Sequence, residues 1–278
     1  MKNILLILKG MLIGVANIIP GVSGGTLMIT LGLYEEIINT ISNFFKDFKK
    51  NLKFIIPLGI GMVASVLLLS KVIKWCLEKY PFPTTFFFLG LILGGIPLLW
   101  NKAKASKGHL SNWIVFLITF GIILVFAFIK ENNYEVSLSN LDFFGYLKLF
   151  GVGMISAATM VVPGISGSFV LMLIGYYTPI ITTINNLTDF SLLSQNILIL
   201  APFGIGIIVG IILIAKLIKY LFNHYPIKTY YGVLGFITAS IIAILLPVLK
   251  NSPSIIEVII AIILTIGGSF MAYHLGDR

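Results

Sequence analysis

Pro20-Gly21-Val22-Ser23-Gly24-Gly25-Thr26 and Pro163-Gly164-Ile165-Ser166-Gly167-Ser168 interrupt two otherwise apolar stretches, 10–34 and 153–177. Proline lacks a backbone donor and turns its predecessor away from helix, and glycine leaves the backbone bare. At membrane depth, backbone broken in this way persists only where protein or a wet cavity satisfies it. Lys9 and Pro20 are separated by ten residues, about 15 Å of helix, which is half of a hydrocarbon core about 30 Å thick. Both stretches are therefore read as re-entrant hairpins with tips at the midplane. Full crossings are the alternative, and the longer arms of the second hairpin make it the nearer case.

The two breaks belong to a duplication. Residues 10–34 align on 153–177 without gaps, with eight identities in 25 positions that include Pro, Gly, Ser and Gly of the break, Gly32 with Gly175, and Tyr34 with Tyr177. Residues 57–90 align on 202–235, with 13 identities in 34 that include Lys71/Lys216, Lys74/Lys219, Tyr80/Tyr225 and Pro81/Pro226. Shared Lys, Pro, Tyr and Gly carry more weight here than shared Leu or Ile. The chain reads as one transmembrane domain, 1–278, made of repeats at approximately 4–130 and 143–274.

Composition agrees with a bilayer. Of 278 residues, 58% are hydrophobic and 10% charged, and mean hydropathy is +1.04. Soluble proteins carry about 25% charged residues, so a soluble enzyme is excluded. Disorder is excluded by the hydrophobicity. Six apolar runs, 54–75, 84–100, 113–129, 197–222, 229–249 and 255–273, are each long enough to cross, and they do not alternate as barrel strands do. The expected fold is thus all-α, integral to the membrane and polytopic, an inverted repeat of one re-entrant hairpin plus three transmembrane helices per half. Inversion follows from parity: a hairpin crosses zero or two times and three spans follow, so the second half enters from the opposite face. The N-terminus imitates a secretory signal, with Lys2 before an apolar run, but its membership of the repeat argues against cleavage.

Charge assigns the faces. The face holding both termini and the loops 46–53, 102–107 and 216–228 (face A) carries 13 of the 19 Lys and Arg residues, and face B carries Lys71, Lys74, Lys79, Lys130, Lys148 and Lys250. Face A is expected to be cytoplasmic, with both termini inside. The net charge of +9 thus has a membrane explanation, and no nucleic-acid partner is expected because the only arginine is Arg278. Cys76 is the single cysteine, which leaves no disulfide framework or thiolate metal cluster. His109, His224 and His274 show no ligand spacing, and no P-loop, GxSxG or paired His and Asp appears. No metal or other cofactor and no enzymatic activity are expected.

The candidate site lies at the breaks. Helices that start there would aim free N–H groups at the midplane, glycine would allow an anion to approach the backbone, and Ser23, Thr26, Ser166 and Ser168 would add hydroxyls. Close packing of small residues between two hairpins is the alternative. Lys71/Lys74 and Lys216/Lys219 each share a helix face and would receive an anionic head group, one pair at each leaflet; snorkelling of long side chains is the alternative. Glu35 and Glu36 have Thr178 and Pro179 as counterparts. They are candidates to carry a coupling proton or sodium ion, against a plain interfacial helix end.

The paired PGVSGGT and PGISGS breaks, each followed by Gly-x-Tyr at 32–34 and 175–177, resemble the bacterial polyprenyl-phosphate transporter family. The resemblance runs over essentially the whole chain. It implies a flippase of the bacterial cytoplasmic membrane that returns undecaprenyl phosphate, the carrier lipid of cell-wall synthesis, from the outer to the cytoplasmic leaflet. By motif it implicates Pro20, Gly21, Ser23, Gly24, Gly25, Pro163, Gly164, Ser166 and Gly167. The halves differ at Gly25/Ser168 and Thr26/Phe169, so equal roles for the two tips do not follow. A transporter of a small anion, and more remotely a membrane-embedded lipid phosphatase or transferase, are the rival readings.

Overall fold

The computed structural model describes residues 2–18, 23–104, 109–129, 135–139, 141–164, 166–188, 191–249 and 253–276. All of its regular elements are helical. The first series is α1 (Lys2–Ile18), α2 (Gly24–Thr30), α3 (Tyr34–Ser42), α4 (Phe48–Lys79), α5 (Pro81–Ala103) and α6 (Leu110–Phe128). The second is α7 (Phe143–Val161), α8 (Gly167–Leu173), α9 (Tyr177–Asn185), α10 (Leu193–His224), α11 (Pro226–Val248) and α12 (Ile255–Gly276). Corresponding helices match in length: 7 residues for α2 and α8, 9 for α3 and α9, 32 for α4 and α10, and 23 for α5 and α11.

The joints repeat as closely as the helices. Ser23 (φ −93°, ψ 128°) and Ser166 (φ −92°, ψ 131°) are extended residues that precede α2 and α8. Gly32 and Gly175 end those helices at φ 69° and 75°, in the left-handed region where a β-carbon is disfavoured. Tyr80 and Tyr225 separate the long helices at φ −135° in both halves, each followed by a proline at the first helical position, where its missing N–H costs nothing.

Seven helices among the described residues are long and apolar enough to span a bilayer: α4, α5, α6, α7, α10, α11 and α12. Six match the runs read from the sequence, with α6 and α11 ending one residue short of theirs. The seventh, α7, is the leading arm of the second hairpin; it starts ten residues before Gly153 and reaches 19 residues, long enough to cross by itself. The return arms are much shorter, seven residues or about 10 Å in each half. α8 and α9 are bent by 113° at their joint.

Helix pairing is close and parallel. Along α1 and α4, Gly10 abuts Leu58 O and Gly14 abuts Met62 O; along α7 and α10, Gly206 abuts Phe150 O and Gly210 abuts Met154 O. Thr265 Oγ1 donates to Phe86 O at 3.1 Å and Ser269 Oγ to Gly90 O at 2.9 Å, so α12 lies parallel to α5. Gly232 faces Val115 and Gly235 faces Phe116 and Thr119, so α11 lies parallel to α6. The last span of each half thus packs on the middle span of the other. α5 and α11 form the buried centre, whereas α6 and α12 turn Leu117, Phe128, Ile263 and Phe270 outward, as lipid-facing helices do.

Several helix ends meet at one pole of the bundle. A β-carbon on Gly32 would lie 2.7 Å from Gly276 O, the Trp100 and Trp113 rings are 6.4 Å apart, and Trp113 contacts Tyr231 at 5.3 Å. This pole gathers the ends of α2, α5 and α12 with the starts of α6 and α11. Near the second hairpin, Val136 N–H donates to Gly175 O at 3.0 Å, so the segment after α6 docks there as the end of α12 docks on the first hairpin.

Candidate functional site

The two breaks touch. Gly164 N–H donates to Thr26 Oγ1 at 3.0 Å, across 138 residues of sequence. Gly164 sits at φ +85°, which a side chain would resist, and a β-carbon there would lie 2.9 Å from Phe236 O. On the first tip, a β-carbon on Gly25 would come within 3.0 Å of Val161 O. Tyr34 OH donates to the same Val161 carbonyl at 3.2 Å. The absence of side chains at the tips therefore serves close approach between the halves as well as any ligand.

Thr26 is held for this role. Thr30 Oγ1 donates to Thr26 O at 2.9 Å inside α2, and both threonines are fully buried. We expect Thr26→Val, which keeps the shape but loses the acceptor, to leave the part-buried Gly164 N–H without this partner at a cost of about 1 kcal/mol. Thermal unfolding of the purified variant in detergent should register the loss as a lowered midpoint.

Ser23 differs from every other hydroxyl at the tips. It is 4% exposed, and its Oγ is the one buried side-chain polar atom without a hydrogen-bond partner among the described residues. It does not cap α2 through its side chain. Burying a hydroxyl with no partner costs free energy, so the site is built short of one acceptor or donor. In the second half, Ser166 Oγ and Ser168 Oγ lie 2.6 Å apart and satisfy each other, and Ser168 is exposed. The first tip is thus buried and the second partly open. Gly24 lies against Asn17 Oδ1, and Gly167 against the Met160 side chain and Ser156 O. Pro163 is buried, whereas Pro20 and Gly21 lie outside the described residues.

The lysine pairs are not gathered at the tips. Lys71 and Lys74 are exposed on α4, where Lys74 makes a loose 3.8 Å contact with Glu78. Lys216 is exposed on α10. Lys219 faces a cleft of about 400 Å³ that it shares with Glu35, Glu36, Asn39 and Asn223.

Glu35, in the first turn of α3, accepts from Lys102 Nζ at 2.7 Å and from Tyr230 OH at 2.5 Å, both through Oε1. Lys102 also lies over the Tyr230 ring, 5.6 Å from its centre. Partial burial would raise the Glu35 carboxyl, but the bonds from Lys102 and Tyr230 outweigh it and hold the group below the usual carboxylate range. Glu36 is exposed beside it. Inside the bundle, Lys9 Nζ is buried and donates to Leu31 O at 2.8 Å, closing the end of α2.

Lys102, Tyr230, Asn17 and Lys9 were not singled out by motif. Lys9 alone had a signal, a charge within an apolar run; Tyr230 looks like any aromatic residue at a span end. Among the described residues no group of three His, Cys, Asp or Glu is placed to hold a metal ion.

A family model described as "VCA0040-like: Undecaprenyl phosphate translocase-like" matches residues 13–257. The chain is 30% identical over 241 residues to a polyprenyl-phosphate transporter of Staphylococcus aureus, covering 86% of this chain and 84% of that protein. It is 28% identical over 234 residues to a polyprenyl-phosphate transporter of Vibrio cholerae, covering 78% and 70% respectively. No solved structure matches it.

Proposed function

Because this chain belongs to the undecaprenyl phosphate translocase-like family, we propose that it is a membrane transporter of polyprenyl phosphate, and specifically a flippase that carries the lipid from the outer to the cytoplasmic leaflet. Its relatives are transporters by name, not enzymes. The observation that carries the site assignment is the unpartnered Ser23 hydroxyl, buried beside the contact between the two breaks. The lipid phosphate would supply the missing partner, and a charge-assisted bond to a phosphate oxygen is stronger than a neutral one.

In this reading only the phosphate travels through the protein, and the prenyl tail stays in lipid. Ser23, Gly24, Gly25 and Thr26 form the buried wall of the path, with Pro20 and Gly21 preceding them in the motif. Ser166, Gly167 and Ser168 form its more open wall, with Pro163 and Gly164 shaping the turn. Lys219 meets the head group at face A, Lys216 lies one turn away, and Lys71 and Lys74 attract anionic lipid at face B. Glu35 is assigned to closing the path rather than to carrying a coupling ion, because two donors already fix its carboxylate.

The halves are proposed to be inverted repeats in the cytoplasmic membrane, with both termini inside. Inversion is supported by the helix pairings: Lys102 at the end of α5 lies over Tyr230 near the start of α11, and Trp100 at the end of α5 faces Trp113 near the start of α6, to which α11 is parallel. Hence α5 and its counterpart α11 point in opposite directions. The 13-to-six division of basic residues supports the orientation.

The test is reconstitution. Proteoliposomes containing the protein should exchange polyprenyl phosphate between leaflets well above protein-free vesicles, read as head-group accessibility to an impermeant phosphatase, and should not accumulate labelled inorganic phosphate. Accumulation of the free anion without lipid exchange would replace this reading with that of a small-anion carrier.

A further inference from the structure

We propose that Lys102 and Tyr230 form a second anion site at the face A pole, which Glu35 fills as an internal surrogate and from which a phosphate monoester displaces it, opening a latch between the halves. This rests on the reading of the chain as a phosphate-lipid transporter and adds the place from which the head group leaves.

The geometry is that of a ligand site with its ligand attached to the chain. Two donors from different halves, the Lys102 ammonium on α5 and the Tyr230 hydroxyl on α11, converge on one carboxylate oxygen. Phe222 packs edge-on against Tyr230 at 5.2 Å and against Tyr34 at 6.2 Å, which fixes the hydroxyl in place. Glu35 uses Oε1 alone for both bonds, whereas a phosphate offers three acceptor oxygens and up to twice the charge. On one side of this contact is a recess of about 20 Å³ that reaches Ile29 on α2; on the other is the cleft of about 400 Å³ with Lys219. Glu35 lines both spaces, so the ion pair sits at the boundary between the recess beside the first hairpin and the cleft that holds Lys219.

Position in the chain couples the latch to the tips. Glu35 follows Tyr34, whose hydroxyl holds Val161 O beside the second break. Displacement of Glu35 would pull on that bond through one residue of helix. The device is one-sided: the counterparts of Glu35, Lys102 and Tyr230 are Thr178, Pro247 and Thr85, which cannot form an ion pair. An empty transporter would thus stay closed at face A until an anion arrives.

The test is isothermal titration of the full-length protein in nanodiscs with farnesyl phosphate and, separately, with inorganic phosphate. The variants are Glu35→Gln, Glu35→Gln with Lys102→Gln, and Glu35→Gln with Tyr230→Phe. In the Glu35→Gln background the Lys102-dependent component of binding should be tightened about two- to fivefold over wild type, the scale of an ion pair whose side chains are 43% and 48% exposed. Lys102→Gln should abolish that component and Tyr230→Phe should weaken it several-fold. A gain confined to farnesyl phosphate assigns the site to a lipid head group; an equal gain with inorganic phosphate assigns it to the free ion. If Glu35→Gln yields no folded protein, Glu35→Asp, a shorter and weaker surrogate, should show a smaller gain in the same direction. Wild-type affinity in the Glu35 variants, with farnesyl phosphate still bound, would overturn the latch and leave the transport reading intact. Absence of farnesyl phosphate binding in wild type and every variant would overturn both.

Discussion

Ser23→Ala is expected to lower the initial rate of polyprenyl phosphate exchange by roughly 10- to 150-fold at subsaturating lipid while leaving the folded protein as stable as wild type, or slightly more so. The kinetic magnitude is that of one hydrogen bond to a charged group, about 1.5–3 kcal/mol, at tenfold per 1.4 kcal/mol. The stability forecast has a different origin. Ser23 Oγ is buried and has no partner among the described residues, so its removal breaks no bond described there and relieves a desolvation cost. A serine kept for packing predicts the reverse, with stability lost and transport per folded molecule unchanged. Exchange rate and unfolding midpoint, measured on one preparation, separate the two. Gly24→Ala is a useful companion because the atoms nearest the added methyl belong to the side chain of Asn17, which can move.

Gly61→Val should remove folded protein from the membrane altogether. A β-carbon at Gly61 would fall on Ile7 O and lie 2.9 Å from Met11 N, both backbone atoms of α1. Neither can yield unless α1 leaves α4, and α1 carries the first tip. Overpacking typically costs 1–3 kcal/mol where side chains can adjust; against backbone on two sides the expected cost is several kcal/mol, a large part of what holds a domain folded. Gly59→Val, two residues away with open space around it, is the control and should insert normally. Detergent-solubilised monodisperse protein for the two variants is the measurement, and comparable yields would show that the α1–α4 contact is looser than described.

This pair of glycines marks the limit of local reading. Gly59 and Gly61 both match glycines in the second half, Gly204 and Gly206, yet only Gly61 and Gly206 touch a neighbouring helix. Repetition in sequence records that a residue recurs, not which face it occupies. The hairpin breaks were legible because proline and glycine act on their own backbone: the extended dihedrals at Ser23 and Ser166 and the left-handed ones at Gly32 and Gly175 fall at the motif positions. The length of α7 was less legible, since Lys148 interrupts the apolar pattern although the helix continues through it. The lysine pairs carried equal signals in sequence, but the structure places Lys219 at the cleft with Glu35 and Glu36, because α3 packs against α10 there, and leaves Lys71 and Lys74 exposed on α4.

Hydropathy, charge asymmetry and the placement of proline and glycine by themselves determined that this chain is a helical, polytopic membrane protein with two interrupted hairpins. Each of those properties depends on a residue and its near neighbours in a hydrocarbon solvent. Only the tertiary structure decided what the polar groups meet. Thr26 finds Gly164 across 138 residues, Glu35 finds Lys102 across 67 and Tyr230 across 195, and Ser23 finds no partner among the described residues. Those outcomes depend on which helices cross and how closely they approach, and the approach is set by small residues facing each other across the halves. No local pattern encodes such a meeting, because each partner alone is an ordinary threonine, tyrosine or lysine near a helix end.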